Sequence, residues 1–175
     1  MNTTVLVFHP SIATSRVNAR LTHATEAIDG VEVRYLYGLY PDFRIDVEAE
    51  QRVLEAADRI VWQFPLYWYS SPALLKQWED DVLTYGWAYG STGTALHGKE
   101  LAVAVSPGAA AERYTPTGLY QVTVDQLLLP FATTSKLIGT RFVEPFVTAG
   151  AMQISDADLE RQAEAYQTWL SAPAR

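Results

Sequence analysis

RIVWQFPLYWYSSPALLKQW, residues 59–78, changes its period halfway along. Residues 59–65 form an apolar run without alternation, the pattern of a strand covered on both faces of its sheet. From Pro72 onward Leu74, Leu75, Trp78, Val82 and Tyr85 recur at helical spacing. Ser71 suits an N-cap, and Pro72 suits the first helical position, where a missing N–H has no partner to lose. Buried strand, short loop and helix in succession make half of a parallel crossover unit. Leu66, Tyr67, Trp68 and Tyr69 lie in the loop, so three consecutive rings fall where no core packing is required of them.

The alternation extends through the chain. Residues 3–9 read as a first strand, and Val17, Leu21, Ala24 and Ile28 as the inner face of a helix closed by Gly30. Residues 31–37 read as a second strand and 46–57 as a helix with Val47, Val53, Leu54 and Ala57 inward. ELAVAVS (100–106) is a fourth buried strand. A helix from 118 to 129, interrupted by Pro130 and resumed to 138, precedes RFVEPFV (141–147), a weaker fifth strand that Pro145 keeps near an edge. Ser155 and Asp158 resemble a capping box ahead of Leu159, Ala163, Tyr166 and Leu170. No linker or repeat divides the pattern, which predicts one α/β domain over residues 1–175 with a parallel sheet wrapped on both faces.

Composition narrows the function. The chain has 175 residues, 49% hydrophobic and 19% charged, as ordinary globular proteins do. The absence of cysteine excludes disulfides, thiolate catalysis and thiolate-held metals. His9, His23 and His97 have no metal-ligand spacing, so no metal is expected. A formal charge of −7 opposes nucleic-acid binding and suits an enzyme or an acidic electron carrier equally. No apolar run is long enough for a membrane span, and MNTTVLVFHP reads as a first strand and not a signal peptide.

In such sheets ligands bind beyond the carboxyl ends of the strands. That rule selects loops 9–16, 65–71 and 106–117. The first lacks the glycine fingerprints of dinucleotide and nucleotide phosphate loops. It sets Ser15, Arg16 and Asn18 at a helix start, which serves either as a phosphate cradle or as a capped helix with solvated side chains. The second supplies rings either for stacking on a flat heteroaromatic group or for a subunit contact. The third, with Gly108 and small neighbours, allows close backbone approach, and Tyr114 and Tyr120 flank the turn TPTG. Those tyrosines either hydrogen-bond a carbonyl ligand or half-bury themselves on a loop.

With these loops together, the chain resembles the flavodoxin-fold NAD(P)H quinone reductases, above all a short bacterial branch that includes ancillary subunits of glutathione-gated potassium-efflux systems. The matching segments are HP with SRVNARL in 9–21, LYPDFRID at 39–46, IVWQFPLYWYSSPALLKQWEDDVLTYGWAYG at 60–90 and GTALHGKEL at 93–101. The resemblance implies a flavodoxin-like three-layer sandwich with five parallel strands in the order 2-1-3-4-5. It implies FMN, with FAD as the alternative, and hydride transfer from NAD(P)H to quinones. His9, Ser15, Arg16, Val17 and Asn18 would hold the ribityl phosphate, and Leu66, Tyr67, Trp68 and Tyr69 would flank the flavin ring, Trp68 foremost. Ser106, Pro107, Gly108 and Ala109 would approach its polar edge. Tyr114, with Tyr120, would serve catalysis. A homodimer is implied, with Tyr89 reaching the neighbouring site, and a cytoplasmic place, at the inner face of the membrane where a potassium-efflux protein is the partner.

Two positions depart from the family pattern. Pro107 stands in a run that is usually Thr-Thr-Gly-Gly-like, and it has no N–H to offer. Tyr120 stands where longer relatives have histidine, and phenols titrate too high to exchange protons readily at neutral pH. Two other readings stay open: a regulatory flavoprotein of a potassium-efflux system, and a flavodoxin-type one-electron carrier.

Overall fold

The computed structural model describes residues 1–26 and 28–173. Its sheet is built on four parallel strands, β1 (Thr3–Val7), β2 (Val31–Tyr35), β3 (Arg59–Pro65) and β4 (Glu100–Ser106). All residues of β1, β3 and β4 are buried, which is why their sequences run apolar without alternation. The strand order is β2-β1-β3-β4-β5, as the resemblance implied, with a sixth strand also paired to β4.

Helices cover both faces. On one side α1 (Arg16–Thr25) and α7 (Asp156–Ser171) pack Val17, Leu21, Leu159, Ala163 and Tyr166 against Val5, Val61 and Ala102. On the other, α3 (Val47–Ala56), α4 (Ala73–Val82) and α6 (Leu129–Leu137) enclose Phe8, Trp62, Phe64, Trp78 and Phe131. Two short helices, α2 (Leu36–Leu39) and α5 (Val124–Leu127), complete the set.

Several expected boundaries shift. The second strand stops at Tyr35, because Leu36 turns into α2 and buries itself in the core. Pro72, not Ser71, is the N-cap of α4; its carbonyl accepts from the Leu75 N–H at 3.1 Å. Tyr85 lies beyond that helix and is mostly exposed, unlike Leu74, Leu75, Trp78 and Val82. Residues 118–122 are turns, and the helix begins at Val124 behind a Thr123–Gln126 capping box. Pro130 opens α6 near its first position and does not interrupt it. Ser155 caps α7 by accepting from the Asp158 N–H at 3.1 Å.

The fifth strand is split. In β5 (Arg141–Phe142) Glu100 faces Arg141, whereas in β6 (Phe146–Val147) Ala104 faces Phe146. The register has advanced by one residue, so the segment ending at Pro145 is a bulge, the form in which an edge strand accepts proline.

On α3 the inward position is Glu50, which is 0% exposed, while Val47 and Val53 are half-buried. Its carboxylate accepts from Arg34 Nη2 at 2.5 Å, Tyr40 Oη at 2.7 Å and Trp78 Nε1 at 3.0 Å. A buried charge survives only when paired and hydrogen-bonded in this way. The amino ends of β3 and β4 carry a second such group, where Arg59 meets Glu100 at 2.5 Å and donates to the Leu170 carbonyl at 3.0 Å. No described helix is long and apolar enough to cross a membrane.

Candidate functional site

Three loops meet at the carboxyl edge of β1, β3 and β4, as the sheet rule requires. Leu66 N–H donates to the Ser106 carbonyl at 3.1 Å, joining the second loop to the third. Asn18 Nδ2 donates to Ser106 Oγ at 2.9 Å, joining the first to the third.

In the first loop Ser15 caps α1, its hydroxyl accepting from the Asn18 N–H at 3.1 Å. The N–H groups of Arg16 and Val17, in the first turn of this ten-residue helix, have no intrahelical acceptor. Val17's side chain is in the core, so its backbone alone faces the loop. The Arg16 guanidinium points elsewhere: it donates to the Ile154 carbonyl at 2.6 Å and to Asp156 Oδ1 at 2.5 Å. His9 is half-buried, and its Nδ1 accepts from the Ser11 N–H at 3.1 Å. Burial lowers its pKa, which keeps the ring neutral and leaves Nε2 as the N–H donor.

The second loop is a tight hairpin. Tyr67 N–H donates to the Ser70 carbonyl at 3.0 Å and Ser70 N–H to the Tyr67 carbonyl at 2.9 Å. Trp68 has φ 48° and Tyr69 φ 62°, both left-handed, which defines a type I′ turn. That turn normally takes Asn-Gly; each large side chain held there costs on the order of 1–3 kcal/mol. Trp68 is 93% exposed, so no core contact within the chain compensates for its strain.

Tyr69 continues into the third loop. Its ring meets Tyr120 edge-on at 5.3 Å, and Tyr120 meets Tyr114 at 4.9 Å. Tyr114 is buried, and burial raises its phenol, with Tyr120 and Tyr69 adding to the shift and the Ala109 backbone N–H opposing it. It therefore stays a protonated donor across the neutral range. The turn expected between Tyr114 and Tyr120 is present, Gly118 N–H donating to the Thr115 carbonyl at 3.0 Å. The carbonyls of Pro107, Gly108 and Ala109 accept from the N–H groups of Ala151, Met152 and Gly150 at 3.0, 3.2 and 2.8 Å. That clamp holds the backbone of the third loop rigid.

Tyr89 stands apart from this group. It lines a cavity of about 440 Å3 between α4 and α6, with Ser70, Glu79, Leu83 and Phe131, and its ring meets Tyr85 at 5.8 Å. Burial pushes the Glu79 carboxyl up to about 7 against the pull of Lys76. A larger cavity, about 540 Å3, lies between β2 and α3 around Thr4, Glu32 and Arg34, away from the three loops.

Beneath the loops lies a polar cluster that the sequence reading missed. Gln63, wholly buried on β3, donates from Nε2 to the Asn18 carbonyl at 3.1 Å and accepts at Oε1 from Tyr166 Oη at 2.9 Å. The signal was one amide inside an apolar strand, a group that needs partners when buried.

The first turn of α1 thus offers N–H donors to an anion, and the hairpin offers an open ring beside a rigid loop of small residues. That donor set fits a flat heteroaromatic group carrying a phosphate.

Comparison with known proteins gives this edge a context. A family model described as flavodoxin-like fold matches residues 1–170. The uncharacterized NAD(P)H oxidoreductase YrkL of Bacillus subtilis is 49% identical over 98% of this chain and 99% of its own. The glutathione-regulated potassium-efflux system ancillary protein KefF of Salmonella newport is 43% identical over 96% and 94%. Among solved structures, general stress protein 14 from Treponema denticola in complex with FMN superposes with a TM-score of 0.91 at 42% identity over 97% and 98% of the two chains. An NADPH-quinone reductase from P. pentosaceus gives 0.91 at 32% over 99% and 100%. A chain described as thermophilic tryptophan halogenase from Streptomycin violaceusniger gives 0.96 at 47% over 98% and 99%.

Proposed function

The chain belongs to the flavodoxin-like family, and on that premise we propose that it is a homodimeric, FMN-dependent NAD(P)H:quinone oxidoreductase, one domain throughout, working in the cytoplasm. The observation that carries this reading is the type I′ turn on Trp68 and Tyr69, strained and exposed on the sheet edge where the family's ligands bind. Relatives named as NAD(P)H oxidoreductase and NADPH-quinone reductase, and one held with FMN, support the chemistry.

Bound FMN would supply the redox step, taking a hydride from NAD(P)H and passing two electrons to a quinone, which takes up two protons. The protein's own residues bind and orient. Arg16 and Val17 offer backbone N–H groups to the phosphate, with His9 Nε2–H and the Ser15–Asn18 turn beside them. The Arg16 side chain serves instead to tie α1 to the start of α7. Trp68 covers the flavin ring, Leu66 and Tyr67 shape the strand exit, and Tyr69 carries the Tyr120–Tyr114 stack. Ser106, Gly108 and Ala109 border the polar edge, where Pro107 contributes shape but no donor. Tyr114 donates its phenolic hydrogen to the ring or acceptor, and Tyr120 holds it in place. Tyr89, outside this chain's own cluster, faces the partner subunit.

The test is flavin absorbance of the purified protein, reconstituted with FMN and in parallel with FAD, followed by NAD(P)H oxidation with a soluble quinone. Protein that holds neither flavin contradicts the reading. The likeness to KefF favours a second role as ancillary partner of a potassium-efflux membrane protein at the inner membrane face, and co-purification with such a transporter is its test. The halogenase description of one structural neighbour adds nothing here, since no residue at the edge calls for that chemistry.

A further inference from the structure

Under the ligand edge, four buried polar groups form a line whose direction one atom decides. The Asn18 carbonyl can only accept, so the Gln63 amide must present Nε2–H to it, at 3.1 Å. Gln63 Oε1 then faces Tyr166 Oη, which must donate, at 2.9 Å. Gln63 Nε2 also lies 3.3 Å from Asn18 Oδ1, so the Asn18 amide presents its Nδ2–H to Ser106 Oγ, at 2.9 Å. Ser106 Oγ is thereby occupied as an acceptor from below. Its own hydrogen makes no hydrogen bond found among the described residues.

We propose that Gln63 and Tyr166 are positioning residues that force the Ser106 hydroxyl to act as a hydrogen-bond donor toward the bound flavin. This rests on the flavin reading above and adds to it a control that reaches from α7 through β3 to the site. A serine hydroxyl rotates freely between donor and acceptor roles in water. Here the buried line leaves it one role, and preorganised donors are the ones that count where a ligand's charge changes. Nothing but packing would be expected of Gln63 and Tyr166 otherwise, since both lie below the loops and are wholly buried.

The experiment is a double-variant cycle on full-length protein, reading the FMN dissociation constant by fluorescence quenching, the flavin midpoint potential and the thermal midpoint. Ser106→Ala is expected to weaken FMN binding by about tenfold and lower the potential, with little change in melting. Gln63→Met, which removes both amide groups at similar volume, is expected to do the same to the flavin while also lowering the melting point. The combined variant should bind FMN no more weakly than the worse single one, because both act through one hydroxyl. Tyr166→Phe removes a single hydroxyl and tests the same line should Gln63→Met not fold; it is expected to shift binding and potential in the same direction, less far. Multiplying effects in the combined variant, or an unchanged potential in Gln63→Met and Tyr166→Phe, overturns the proposal and leaves the flavin reading standing. Wild-type protein that binds neither FMN nor FAD removes both.

Discussion

Trp68 and Tyr69 carry most of the information at the scale of single residues. Their letters announced rings in a loop, but not the left-handed backbone, because the usual signal for a type I′ turn is Asn-Gly and neither is present. Replacing the pair with Asn-Gly is expected to raise stability by about 1–3 kcal/mol by relieving the strain, read as a higher urea midpoint. The same variant should bind FMN at least about tenfold more weakly, since it loses the covering ring. Glu79 gives a second residue-level expectation. Its folded carboxyl titrates near 7 against an ordinary 4.5, so the folded chain holds more protons between those values. Stability is therefore unaffected by this group below about pH 4.5 and declines as pH rises toward 7. Glu79→Gln should melt higher than wild type at pH 8, by on the order of 2 kcal/mol of stability, with the gap closing by pH 4.

Whole elements were legible where burial was uniform. β3 and β4 occupy the residues their apolar runs marked, because a strand buried on both faces admits little else. The fifth strand was legible as an edge but not as two pieces, since a one-residue register slip leaves no mark beyond Pro145. Tertiary context overrode period in two places. Residues 118–122 looked helical by spacing, yet the capping box at Thr123 marks the real start. Thr123→Ala should cost about 1 kcal/mol by loss of that cap, measured by chemical denaturation. On α3 the inward place went to Glu50, because Arg34, Tyr40 and Trp78 converge there from other elements that periodicity cannot see. Glu50→Ala leaves the Arg34 guanidinium without its buried partner and is expected to cost about 3–5 kcal/mol in the same measurement.

At the scale of the molecule, the sheet order places three loops on one edge, and the family match assigns that edge its ligand. The loops themselves were legible; what joins them was not, because Asn18, Ser106, Gln63 and Tyr166 are distant in sequence and meet only through the sheet. Trp68, Tyr85, Leu119 and Leu129 leave large apolar side chains exposed, and a homodimer would cover some of them. Sedimentation of the flavin-loaded protein is expected to give twice the chain mass. The most direct test of the central claim is anaerobic stopped-flow of that protein with NADH and with NADPH, followed by a quinone. Bleaching of the flavin band in one two-electron phase with at least one donor, and its return on adding quinone, is the predicted result. A flavin that stays oxidised with both donors contradicts it.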